Sequence, residues 1–175
     1  MRVFAGIAAA AILIAACGGP AAVATPSPTA PPTASPTPSP SPTVANVFKA
    51  DLKASNETPA PISDAEATCA GTATVTFTST TAKFDVSISG CPASTAINIG
   101  HIHEGAAGVG GPVKIDTGLK AGDLTLTNGA VTFSKTATAD AALITAILAN
   151  PAGYYVNFHS TAHMGGVIRG QLTKA

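Results

Sequence analysis

The chain has no tryptophan, only two tyrosines and six phenylalanines, and charged side chains make up just 10% of its 175 residues. A core drawn from this composition is built of small and β-branched side chains, and the length suits one domain with appendages. Nine basic residues balance nine acidic ones with no basic run, so the phosphate-neutralising patch that a nucleic-acid partner needs is missing. Three cysteines are too few for a dense disulfide scaffold, and they do not fall in zinc-finger spacing. No Walker or dinucleotide-binding glycine motif occurs either.

What is present begins with an export leader. Arg2 is the one charge of residues 1–17, and the apolar run from Val3 to Ala16 is short for a bilayer span. The run closes on Ile14-Ala15-Ala16-Cys17, which resembles a bacterial lipobox with Ile in place of the commoner Leu. That resemblance implies lipidation of Cys17 and an extracytoplasmic, membrane-anchored lipoprotein at the cell surface or periplasmic face. An ordinary secretory signal cleaved near Ala16 is the alternative. Buried acyl chains contribute about 0.8 kcal/mol per CH₂, which suits a stable anchor.

Residues 18–43 read as a disordered spacer. From Pro20 to Thr43, nine of 24 residues are proline and none is charged or aromatic. Such a tract cannot bury a core, and its prolines bias it toward extended polyproline II. Fully extended, it reaches roughly 70 Å at about 3.1 Å per residue. Ser and Thr beside proline also suit O-glycosylation.

Period-two alternation takes over in residues 44–175. Phe48, Ala50 and Leu52 alternate with Lys49, Asp51 and Lys53; Ala73, Val75 and Phe77 alternate with threonines; Phe84, Val86 and Ile88 alternate with Asp85, Ser87 and Ser89. These are half-buried antiparallel strands. The expected register sets Phe77 opposite Phe84 and Val75 opposite Val86, around a turn near Thr80-Thr81. Leu124 and Leu126 lead through Asn128-Gly129, a strong hairpin signal, into Val131 and Phe133. Strands are also expected over 97–103, 155–159 and 167–172. One segment differs: Leu143 over Ile147 and Ile144 over Leu148 predict a short helix over about 139–149, capped by Thr138 and stopped by Asn150-Pro151. Cys69 and Cys91 flank the hairpin centred near Thr80-Thr81 and are expected to pair as a disulfide in an exported protein, with two free thiols as the alternative. The alternation places them on opposite faces, so the pairing calls for a bulge at Gly90-Cys91.

All four histidines fall in two short segments, His101-Ile102-His103 and His159 with His163. Positions i and i+2 of a strand share a face, so His101 and His103 can converge on one ion. Tyr155, Asn157 and His159 share a face of the next strand, and His163-Met164 follows in a loop. Imidazoles with a thioether suit copper better than calcium or magnesium. The competing reading makes these histidines loop-bracing groups for the carbonyls of the stretch Gly105–Gly111. No Ser-His-Asp arrangement assembles, because Asp116 and Asp123 have no histidine near them in sequence.

Four ordered motifs carry a resemblance. Phe48-Lys49-Ala50-Asp51-Leu52 with Asn56-Glu57-Thr58-Pro59, then the stretch from His101 to Val113, then Tyr155 to Ser160, then Gly166-Val167-Ile168-Arg169-Gly170-Gln171-Leu172 together resemble the CHRD domain. This module was first described in chordin and occurs in many bacterial surface proteins. The resemblance implies an all-β domain, an immunoglobulin-like antiparallel sandwich or barrel, and brings no settled activity. The family usually has Glu where Val167 stands, and an Asn-Pro-rich loop where Ala162-His163-Met164-Gly165 stands. By resemblance, Glu57 accepts hydrogen bonds near Arg169 and ties the first strand's exit to the last strand. The His101/His103 spacing and the terminal Gly166-Val167-Ile168 are also similar to the copper/zinc superoxide dismutase pattern, with His159 available as a third ligand. That family's histidine-rich zinc loop has no counterpart here.

Three functions follow as expectations. The first is a noncatalytic, lipid-anchored display module that binds a protein or glycan of the envelope; the second is an extracytoplasmic copper or zinc protein using His101, His103, His159 and His163; the third is a dismutase-like redox enzyme. The domain boundary is testable directly. Brief proteolysis of the full mature protein should release a stable fragment beginning between Val44 and Phe48, read by mass spectrometry. A continuous chain surviving high protease, with no glycan on the tract, would refute the spacer.

Overall fold

A computed structural model describes residues 46–175; the lipobox with Cys17 and the proline-rich tract lie outside the described residues. Nine strands follow in order: β1 (Asn46–Lys53), β2 (Ala70–Phe77), β3 (Thr81–Ser89), β4 (Ile97–Glu104), β5 (Val113–Asp116), β6 (Val131–Thr138), β7 (Tyr154–Ser160), β8 (Ile168–Gln171) and β9 (Thr173–Lys174). One helix, α1 (Ala141–Ala149), lies between β6 and β7. All pairings are antiparallel, in the order β5-β4-β7-β8-β1-β2-β3-β6, with β9 added beside β1. The terminal strands β5 and β6 meet without pairing, so the sheet curls into a nearly closed barrel. Of the two architectures expected, sandwich or barrel, this is the barrel.

The β1-β2-β3-β6 half follows the simple alternation. Phe48, Ala50, Leu52, Val75, Phe77 and Phe84 point inward and are buried, and the threonines and charges between them face solvent. Phe48 packs edge-on against Phe77, with ring centroids 5.7 Å apart. Each buried phenylalanine contributes about 1.5–3 kcal/mol by leaving water. The β2–β3 register is two residues away from the expected one: Phe77 faces Ala82 and Val75 faces Phe84. The turn is tighter than read, closed by Thr78 N–H to Thr81 C=O at 3.0 Å and by the Thr78 hydroxyl, which accepts from Thr81 N–H. A shift of two preserves each residue's face, so the predicted buried set survives.

Cys69 and Cys91 are bonded. The face conflict is resolved by Gly90, which follows the end of β3 with φ +72° and turns Cys91 inward. A side chain at Gly90 would strain this conformation and press on the Thr68 carbonyl. No bulge within the β2–β3 ladder is involved.

Two local readings are corrected. Thr138 does not cap α1, because it still pairs with Thr81 in the ladder; Asp140 caps instead, its Oδ1 accepting from Ala142 N–H at 2.8 Å and Leu143 N–H at 3.2 Å. Leu124 and Leu126 do not form a strand. Asn128 (φ 52°) and Gly129 (φ 73°) do make the tight turn, but it holds a single bridge, Thr127 to Ala130, and β6 spends its ladder on β3.

The other half departs from alternation. All seven residues of β7 are buried, because one face meets the barrel core and the other lies beneath loops. Removal of the disulfide tests the first half's stability. The Cys69→Ala/Cys91→Ala variant opens a loop with a sequence separation of 22. It should lose about 3 kcal/mol on the chain-entropy account, read as a lower urea midpoint. An unchanged midpoint would show that the bond constrains nothing in the unfolded chain.

Candidate metal centre

Pairing between β4, β7 and β8 builds a polar surface on the outer face of the barrel. His101 lies opposite Asn157, which lies opposite Arg169; His103 lies opposite Tyr155, which lies opposite Gln171; Ile99 lies opposite His159. An irregularity between Ile97 and Ile99 shifts the β4 register, so Ile97 is buried in the core while Ile99 joins the histidine face. On a regular strand over 97–103, Ile97 and Ile99 are both expected on the face of His101 and His103; the irregularity leaves only Ile99 there.

Three histidines converge. One ring nitrogen each from His101, His103 and His159 lies within 4.8 Å of the others. Their tautomers follow from their partners. His103 Nδ1 is 2.9 Å from the Gly111 carbonyl and His159 Nδ1 is 2.8 Å from the Met164 carbonyl. A carbonyl only accepts, so each Nδ1 carries the proton and each Nε2 keeps its lone pair. His101 turns Nδ1 toward His159 Nε2 at 3.2 Å. His103 Nε2 is buried without any hydrogen-bond partner. Leaving such an acceptor unpaired costs about 1–3 kcal/mol.

The electrostatics keep these rings neutral. Burial is the largest influence on all three and lowers each pKa below the ordinary imidazole value of 6.5; the charge of His103 adds to it for His101, and Arg169 adds to it for His103. Neutral imidazoles are the form that ligates a metal. The bonds to Gly111 and Met164 fix ring orientation in the way outer partners of metal-bound histidines do. A cation such as copper or zinc fits this donor set of one ring nitrogen from each of His101, His103 and His159.

His163 stands apart. Its Nε2 lies 2.9 Å from Asp64 Oδ2 and 3.7 Å from Glu66 Oε2, and Glu66 also accepts from the Ser160 hydroxyl. Its ring therefore ties the 161–167 loop to residues 64–66 and does not join the three. Met164 contributes its carbonyl, while its thioether is exposed and receives only a 3.8 Å contact from Asn98 Nδ2.

Glu57, Asn157 and Arg169 are neighbours in a different arrangement from a simple ion pair. Asn157 Nδ2 donates to Glu57 Oε1 at 2.7 Å and to the Ile168 carbonyl at 3.2 Å. Gly166 packs against the same groups: a Cβ there would lie 2.6 Å from Glu57 Oε2. Burial pushes the Glu57 carboxyl up to about 7, against the opposing pull of Asn157 and Arg169. The Arg169 guanidinium donates to the Thr58 hydroxyl at 2.8 Å and to the Val109 carbonyl at 3.1 Å, and sits 3.5 Å over the Tyr155 ring. No carboxylate is within ion-pair reach of Arg169 among the described residues.

Sequence reasoning missed several contributors. Asp116, set aside for want of a nearby histidine, pairs across strands with His101. Tyr155 stacks on His103, with centroids 4.9 Å apart and planes 4° from parallel. The Gly111 and Met164 carbonyls carry no side-chain signal. Asp116 was within reach, had the stretch between His101 and Asp116 been read as a hairpin.

The titrations have opposite signs. The unfolded chain binds protons at the histidines near 6.5 and the native chain binds them at lower pH, so their stabilising contribution is lost as pH falls below 6.5. Glu57 binds its proton up to about 7 in the native state against 4.5 when unfolded, so its contribution is lost as pH rises through that window. Glu57→Gln should therefore steepen the loss of stability between about pH 6.5 and 4.5, measured by urea unfolding across pH. A pH profile parallel to that of the parent chain would refute the opposition.

The family model of the CHRD domain matches residues 48–172. Neither the curated proteins nor the solved structures yield a match. The matched span covers every strand of the barrel except the outermost residues of β1 and the short β9, and it includes all three converging histidines. The chain belongs to the CHRD domain family.

Proposed function

We propose that this CHRD domain is a noncatalytic, lipid-anchored extracytoplasmic protein that binds one copper ion through His101, His103 and His159, with zinc as the competing ion. One observation carries the reading: His103 Nε2 is a buried acceptor with no partner, aimed among two other imidazoles. A loop-bracing histidine needs only the Gly111 bond, and that bond is made by the opposite nitrogen. Ligation would satisfy the orphaned nitrogen and hold the three rings in one geometry. A role in sequestering or delivering the ion would suit a cluster of three protein ligands with one partly exposed member, His101, through which an ion can enter and leave.

A full dinuclear dismutase is not favoured. Its second metal needs a further ligand set, and the three-histidine group is the one such cluster among the described residues.

Calorimetric titration of the metal-free full chain tests the proposal. One equivalent of Cu(II) or Zn(II) should bind, and His103→Asn should weaken it by more than about 100-fold, beyond the loss typical of outer-shell changes. Absence of stoichiometric binding of Cu(II), of Zn(II) and, without oxygen, of Cu(I) at micromolar protein would overturn it.

A further inference from the structure

The surroundings of the three imidazoles carry more information than their number. Every donor in the cluster is a neutral nitrogen, with no carboxylate or thiolate among them. Both outer-shell acceptors, the Gly111 and Met164 carbonyls, are neutral as well. A carboxylate in either place would give the imidazole anionic character and favour a doubly charged ion. His103 and His159 are buried, and the cost of moving an ion out of water rises with the square of its charge.

A fixed cation lies close by. Arg169 is 2% exposed, and its guanidinium sits 3.5 Å over the ring of Tyr155, which itself stacks on His103. Its hydrogen-bond partners are a hydroxyl and main-chain carbonyls, so no anion within ion-pair reach cancels its field among the described residues. That field opposes a dication twice as strongly as a monocation. Two carboxyls act the other way. Asp116 faces His101 but is exposed, with Oδ1 already held by Gly118 N–H at 2.8 Å, so solvent screens it. Glu57 is buried and hydrogen-bonded through Asn157, and its carboxyl is partly protonated at neutral pH.

Coordination number points the same way. A three-nitrogen set completes the shell of Cu(I), whereas Zn(II) and Cu(II) need at least one more ligand. We propose that the His101/His103/His159 cluster holds copper preferentially as Cu(I), which makes it a cuprous-ion carrier with a raised Cu(II)/Cu(I) potential. This rests on the copper reading above and adds the oxidation state to it.

The test compares the two ions on the metal-free full chain. Cu(I) affinity is measured without oxygen against bicinchoninate, and Cu(II) affinity against nitrilotriacetate. Cu(I) should bind at least about 1,000-fold more tightly, which raises the couple by about 180 mV over the aqueous ions at 59 mV per tenfold. Arg169→Gln should shrink the ratio and Asp116→Asn should enlarge it. If the buried Arg169 variant fails to fold, the exposed Asp116 variant still reports the direction. Copper bound with Cu(II) equal or tighter, or a ratio that moves oppositely in Asp116→Asn, overturns the cuprous preference and leaves a copper site standing. Binding of neither ion overturns the copper reading and this inference together.

Discussion

A loop laid over a sheet must have its backbone N–H and C=O groups satisfied, because it shields them from water. Over β4, β7 and β8 that requirement is met largely by side chains of the strands beneath. Arg169 and Gln171 donate to carbonyls at Ala106, Val109 and Gly105, His103 bonds the Gly111 carbonyl, and the Tyr155 hydroxyl accepts from Gly111 N–H. The covering of the barrel and the orientation of the imidazoles are therefore one hydrogen-bond network. Close contact is built into it: a Cβ at Gly111 would collide with the Glu104 carbonyl, so the loop packs this low only with glycine there.

On the proposed reading, this coupling would make metal affinity a property of the folded cover. His159 lies 56 residues beyond His103 in the chain and meets the other two histidines only in the folded barrel, so an ion that bound the native cluster would stabilise the fold by mass action, about 4.1 kcal/mol at 1,000 times Kd. That exceeds the cost of about 1–3 kcal/mol for one unpaired buried acceptor. His103 Nε2 is one of three buried side-chain atoms without a partner, beside Thr95 Oγ1 and Asn98 Oδ1, and on the proposed reading a bound ion would satisfy it. On the proposed reading His103 and His159 would serve both ends, one ring nitrogen bracing a loop and the other facing the cluster.

The alternating strands β1, β2 and β3 were legible because one face meets the core and the other meets water, and polarity then reports direction. The family resemblance over the motifs from Phe48 to Leu172 was legible for the same residues. In β7 the code fails, since Asn157 and His159 are as buried as Val156 and Phe158. A polar residue on a doubly covered strand looks like a surface residue until its partner is known. The convergence of His159 on His101 needed only the β4–β7 pairing, and the sharing of faces by positions two apart anticipated it. The main-chain acceptors, the position of Asp116 and the role of His163 needed tertiary structure, because nothing local specifies which loop crosses which strand. Asp140 displaced Thr138 as helix cap for a similar reason, a non-local ladder outranking a local preference.

The two halves of the sheet are joined across β8, a strand of four residues whose pairing with β1 is the single match Lys53 to Arg169. Asn56 Nδ2 adds a bond to the Arg169 carbonyl at 3.0 Å. Among the paired neighbours in the barrel order, a ladder this short opens most readily, since few hydrogen bonds must break together. The seam also runs through the residue whose side chain holds down the loop above the histidines. Opening of the β1–β8 junction would therefore loosen the loop over the histidines, and amide exchange at that junction is where such opening would register.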